Sequence, residues 1–156
     1  MKHELPLGTL ELPEGYEDRS SYQFLSAPST LDAPLARGRG SRIEGMRLSV
    51  LLTRVPLVGG KLEDVLGAQE NGFRQTLPGV TSVARSRWKH PKLGAVPIIE
   101  LAFEPVPGHS VKQTHCYFSR DKSKDVVTLT FTTDGRDKGA FESQIAEVFE
   151  AFALQD

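Results

Sequence analysis

The sequence predicts one α+β domain built on an antiparallel sheet with two helices. Three observations carry that reading. Four β-rich runs between 80 and 133 follow one another across short polar connections, the pattern of hairpins rather than crossovers. Two stretches, 61–77 and 137–154, place apolar residues at helical spacing. The chain has 156 residues and 38% hydrophobic content, enough for a single core and too apolar for disorder.

The first strand is expected near 8–12, where Leu10 and Leu12 alternate with Thr9 and Glu11. Pro13-Glu14-Gly15 then supplies turn chemistry. The aromatic run SYQFLSA (21–27) reads as a second strand. Residues 28–45 hold two prolines and Gly38, Gly40 and Gly45 among three arginines, so they read as a long polar connection. A strong strand follows at 46–55: Met46, Leu48, Val50 and Leu52 point one way, and Arg47, Ser49, Leu51 and Thr53 the other. Pro56 and Gly59-Gly60 end it.

The helix expected at 61–77 aligns Leu62, Val65, Leu66, Gln69, Phe73 and Leu77 on one face, and Pro78-Gly79 closes it. Strands are expected at 80–88, 96–104, 111–119 and 126–133. The last helix, 137–154, carries the stripe Phe141, Ile145, Val148, Phe149 and Phe152, with Asp137 as its N-cap. No internal repeat or domain boundary is visible, so 1–156 reads as one domain.

Strand alternation sorts the sheet into two faces. One holds Leu48, Val50, Leu52, Ile99, Leu101, Phe103, Cys116, Phe118, Val127, Leu129 and Phe131, and is expected to lie under both helices. The other holds Ser49, Leu51, Thr53, Ile98, Ala102, Gln113, His115, Tyr117, Thr128, Thr130 and Thr132. It mixes apolar area with hydroxyls and amides. Such a surface suits an apolar helix that still carries polar groups. It equally suits a half-exposed sheet in which threonine is simply a good strand residue.

Several chemistries find no support. A formal net charge of −1 argues against a nucleic-acid binder. His109 and His115 do not have zinc spacing, and no metal or other cofactor is expected. His115 and Cys116 are adjacent and so point to opposite faces of a strand; they cannot act as a base–nucleophile pair, and Cys116 reads as core. GRGSRIEG lacks the lysine and spacing of a phosphate loop. The cluster RSRWKHPK (85–92) reads as a solvated strand face and hairpin tip, with anion or nucleic-acid binding as the sharper alternative. No catalytic set is present, so no enzymatic activity is expected. One cysteine, no apolar leader and no apolar run of about 20 residues fit a soluble cytoplasmic protein without membrane insertion.

The opening motif Gly8, Leu10, Glu11, Leu12, Pro13, Glu14, Gly15, Tyr16, Asp18, Arg19, Ser20 resembles the N-terminus of the Eag-type chaperones of type VI secretion. The order of elements from RLSVLLTRV to VFEAFAL agrees with it. The resemblance implies a PsbP-like α/β/α sandwich whose antiparallel sheet keeps one concave face open. It implies a homodimer that binds the apolar N-terminal transmembrane segments of Rhs or PAAR-type effectors before they are loaded on the secretion spike. The residues expected to meet that segment are Tyr22, Phe24, Ser49, Leu51, Thr53, Ile98, Ala102, Gln113, His115, Tyr117, Thr128 and Thr130. The alternative is a PsbP-like accessory domain for a small ligand or a soluble protein partner.

Overall fold

The computed structural model describes residues 2–5, 8–11, 21–26, 47–57, 60–136 and 139–155. Two short strands, β1 (Lys2–Leu5) and β2 (Gly8–Glu11), pair with each other as an antiparallel ribbon. Six strands form the main sheet: β3 (Tyr22–Leu25), β4 (Ser49–Pro56), β5 (Ser82–His90), β6 (Gly94–Val106), β7 (His109–Arg120) and β8 (Asp125–Asp134). Their spatial order is β3-β4-β8-β7-β6-β5, and every neighbouring pair is antiparallel. The expected meander is therefore present from β5 to β8, and β8 returns to lie beside β4. The expected polar connection at 28–45 lies outside the described residues, as does most of the motif from Leu12 to Ser20.

Helix α1 (Leu62–Thr76) carries the chain from β4, near one edge, to β5 at the other. The Asp64 carboxylate accepts the Lys61 backbone N–H at 2.9 Å and so satisfies one free donor at the helix start. Helix α2 (Glu142–Ala151) is shorter than its apolar stripe predicts. Gly139 at φ +86° takes the chain out of helical conformation three residues before it.

The helices lie on opposite sides of the sheet, a correction to the expected placement of both on one face. Leu66 of α1 packs with Ile99, Leu101, Phe103, Tyr117 and Val126 in one core cluster, joined by the partly buried Phe73. Phe141, on the approach to α2, and Phe149 of α2 pack with Ile98, Cys116, Phe118, Leu129 and Phe131 in the other. The molecule is thus layered helix–sheet–helix, and no face of the sheet is left wholly open.

The second correction concerns β6. Its register pairs Ile98 with Cys116 and Ile99 with His115. Ile98 and Ala102 therefore belong to the α2 face, and Ile99, Leu101 and Phe103 to the α1 face. Both sides of this strand are covered: Ile98 and Ile99 are each fully buried. A strand that is apolar on both faces does not disclose its phase.

Candidate functional site

The α1 face of the central strands carries a connected polar chain. Antiparallel pairing sets Gln113 opposite Thr132, His115 opposite Thr130 and Tyr117 opposite Thr128. Gln113 Nε2 donates to Thr132 Oγ1 at 3.1 Å, and its Oε1 faces His115 Nε2 at 3.1 Å. Oε1 can only accept, so Nε2 carries the imidazole proton. Nδ1 is then the acceptor for the Thr130 hydroxyl at 3.0 Å. Two of the four members, His115 and Thr130, are buried.

Helix α1 closes over this chain. The Phe73 ring lies 4.7 Å from the His115 ring, and Tyr117 Oη donates to Gln69 Oε1 at 3.1 Å. Outside the helix, Arg85 holds Glu70 at 2.7 Å and is also bonded to Glu63. Burial removes solvent from the imidazole and pushes its pKa down to about 4, so His115 is neutral at physiological pH. The same burial pushes the neighbouring Cys116 thiol up to about 12, with Glu100 adding to it. Cys116 is a core residue, as expected.

The expected partner-binding residues therefore divide. Ser49, Leu51, Thr53, Gln113, His115, Tyr117, Thr128 and Thr130 share the α1 face. Of these, His115, Tyr117, Thr128 and Thr130 are buried, while Ser49, Leu51 and Thr53 are half-buried. Ile98 and Ala102 lie on the other face, as the β6 register requires. So do Tyr22 and Phe24, because β3 pairs Tyr22 with Leu52 and Phe24 with Val50. The hydroxyls and amides read as cargo ligands are largely bonded to one another.

Among the described residues, the end of the sheet at β3 and β4 groups three of the exposed large apolar side chains; Val106, Leu93 and Val148 are exposed elsewhere. Phe24 and Leu25 are 62% and 61% exposed, and Tyr22 36%. Neither these three nor Leu51 joins either core cluster. Across the pleat, Gln23 donates to Ser49 Oγ at 3.1 Å. This edge strand therefore shows aromatic residues on its α2 side, and Leu25 and Leu51 beside a Gln–Ser pair on its α1 side. Sequence reasoning missed Leu25 and the two α1 residues that cover the polar chain. Gln69 left a signal: an amide set in an apolar helical stripe needs a polar partner across the interface.

Among the described residues no group of three His, Cys, Asp or Glu side chains could hold a metal ion, and no helix is long and apolar enough to cross a membrane. No protein-family model and no curated protein matches the chain. Among solved structures, the Pseudomonas aeruginosa protein PA94, described as of unknown function and a candidate regulator, is similar over 100% of this chain and 97% of its own. Its TM-score is 0.69 at 18% identity. LpqN of Mycobacterium tuberculosis, involved in cell envelope biogenesis, has a TM-score of 0.46 at 14% identity over 89% of this chain and 85% of its own. The first likeness shows a shared fold: a six-stranded antiparallel sheet between two helices.

Proposed function

We propose that the chain is a cytoplasmic chaperone-adaptor with a PsbP-like fold. It works as a homodimer that holds the apolar N-terminal segment of a type VI secretion effector, of the Rhs or PAAR kind, until that effector is loaded. The sequence motif at 8–20 supports the family, and one structural observation supports the binding role. The β3–β4 end of the sheet leaves Tyr22, Phe24 and Leu25 in solvent beside half-buried Leu51, where neither helix packs.

An apolar segment of about 20 residues aggregates or inserts if it stays uncovered. Each Å² of it covered here gains about 25 cal/mol. On the α1 side of this edge the Gln23–Ser49 pair and the Thr53 hydroxyl lie beside Leu25 and Leu51, so polar atoms on a segment held there are not stranded against hydrocarbon. The binding surface is thus narrower than a whole sheet face and centres on β3.

The test is co-expression of the chain with effector fragments that carry or lack their apolar N-terminal segment, followed by affinity capture. Recovery of soluble fragment only when the segment is present supports the reading. Equal capture of both fragments, or capture of neither, overturns it.

A further inference from the structure

A second concavity, of about 610 Å³, lies on the α2 side of the sheet, away from β3. Its floor is aromatic and aliphatic: Trp88, Phe131, Ile145 and Phe149 line it. Trp88 meets Phe149 edge-on, with ring centroids 5.3 Å apart. Trp88 itself is only half-buried.

Six charged side chains line the cleft, three of them carboxylates. Glu142 and Glu150 are two helical turns apart on the α2 wall, with Ala146 between them. Glu100 rises from the opposite wall on β6, across from Thr114. Against these three carboxylates stands Lys112 on β7. Arg87 and Lys89 border the mouth, but they alternate with Trp88 along β5 and so start on the α1 face; Arg87 also lines a concavity beside α1. None of the three carboxylates is ion-paired with a described residue.

A second observation is independent of the acids. Thr133 lines the same cleft and is only 8% exposed, yet its hydroxyl has no hydrogen-bond partner among the described residues. A buried hydroxyl left without a protein partner is available to a polar atom from elsewhere.

We propose that this cleft binds an organic cation with an apolar or aromatic body, its ammonium head lying among Glu100, Glu142 and Glu150. The body covers the floor, the Trp88 ring face attracts positive charge, and Thr133 meets a polar atom of the ligand. The site is separate from the β3–β4 end, so it stands or falls independently of the chaperone reading.

Trp88 is the single tryptophan and reports directly on the cleft. The protein is titrated with 4-phenylbutylamine, with the neutral 4-phenylbutan-1-ol and with 4-phenylbutyrate, following Trp88 emission. The amine is expected to give a saturable change, with the alcohol about fivefold weaker and the carboxylate weaker still, the ratio expected of an exposed charge pair. Glu100→Gln and Glu142→Gln are each expected to weaken the amine about twofold to fivefold and leave the alcohol unchanged. Glu142 is exposed on a helix, so that variant folds even if the Glu100 variant does not. Equal affinity for amine and alcohol, no saturable response to the amine, or an unchanged amine affinity in the Glu142 variant overturns the proposal.

Discussion

Phe73 of α1 lies over His115 of β7, the ring centroids 4.7 Å apart and the planes tilted by 31°. This contact closes the α1 side of the sheet centre and fixes what remains for a partner. It also takes an imidazole out of water while Gln113 and Thr130 satisfy both its nitrogens in the neutral form.

His115 therefore makes stability fall in mild acid. Its folded pKa is about 4, against an ordinary value of 6.5. The unfolded chain takes up the proton first, so the contribution is intact above about pH 6.5 and is lost as pH falls toward 4. The full loss is up to ~3 kcal/mol. Urea unfolding at pH 7.0 and pH 4.5 measures it, and His115→Gln flattens the difference.

Tyr117→Phe removes the hydroxyl that donates to Gln69 and leaves a half-satisfied amide against a buried ring. The expected cost is about 1–2 kcal/mol in thermal or urea unfolding. A Gln69→Leu, Tyr117→Phe double variant recovers part of it, because both polar partners are then gone.

His90 ties the C-terminal end of α2 to the β5–β6 turn. It is 1% exposed; Nδ1 accepts the backbone N–H groups of Lys92 and Leu93, each at 3.1 Å, and Nε2 donates to the Phe152 carbonyl at 3.1 Å. His90→Ala is expected to cost about 2–4 kcal/mol, since it empties core volume and strands three backbone groups. Hydrogen exchange is expected to show faster opening of α2 than of β7.

Asp125 sits at the start of β8 and is buried. It is gripped in a fork by Arg120, whose Nε lies 2.6 Å from Oδ1, and Arg54 stands 3.8 Å from Oδ2. Arg120 also donates to the Gln155 carbonyl at 3.0 Å, linking the chain's C-terminal end to the sheet. Asp125→Asn keeps the shape and removes the charge, so about 2–4 kcal/mol is expected to be lost. An unchanged unfolding midpoint would contradict the assigned role of this pair.

Much of the layout is legible in the sequence itself. Alternation located β4, β7 and β8, and the helical stripe from Leu62 to Phe73 located α1. The side of the sheet that α1 covers was not readable. An amphipathic helix shows which face it buries, not which face of a sheet it buries against. The phase of β6 was hidden because Ile98 and Ile99 are both core residues, and a register shift between Phe103 and Val106 interrupts its pairing with β7. Tyr22 and Phe24 read as rim or floor of the surface that carries Thr130, because nothing local fixes the pairing of β3 with β4 across the long connection between them. That pairing alone turns both rings to the other face.

The binding surface proposed at β3 is tested most directly by photo-crosslinking. A benzoylphenylalanine replaces Phe24 in the complex with an effector fragment that carries its apolar segment. The account predicts crosslinks from position 24 into that segment, and none from the same probe at Lys89 on the far edge strand. Crosslinks from position 89 with none from position 24 would contradict it.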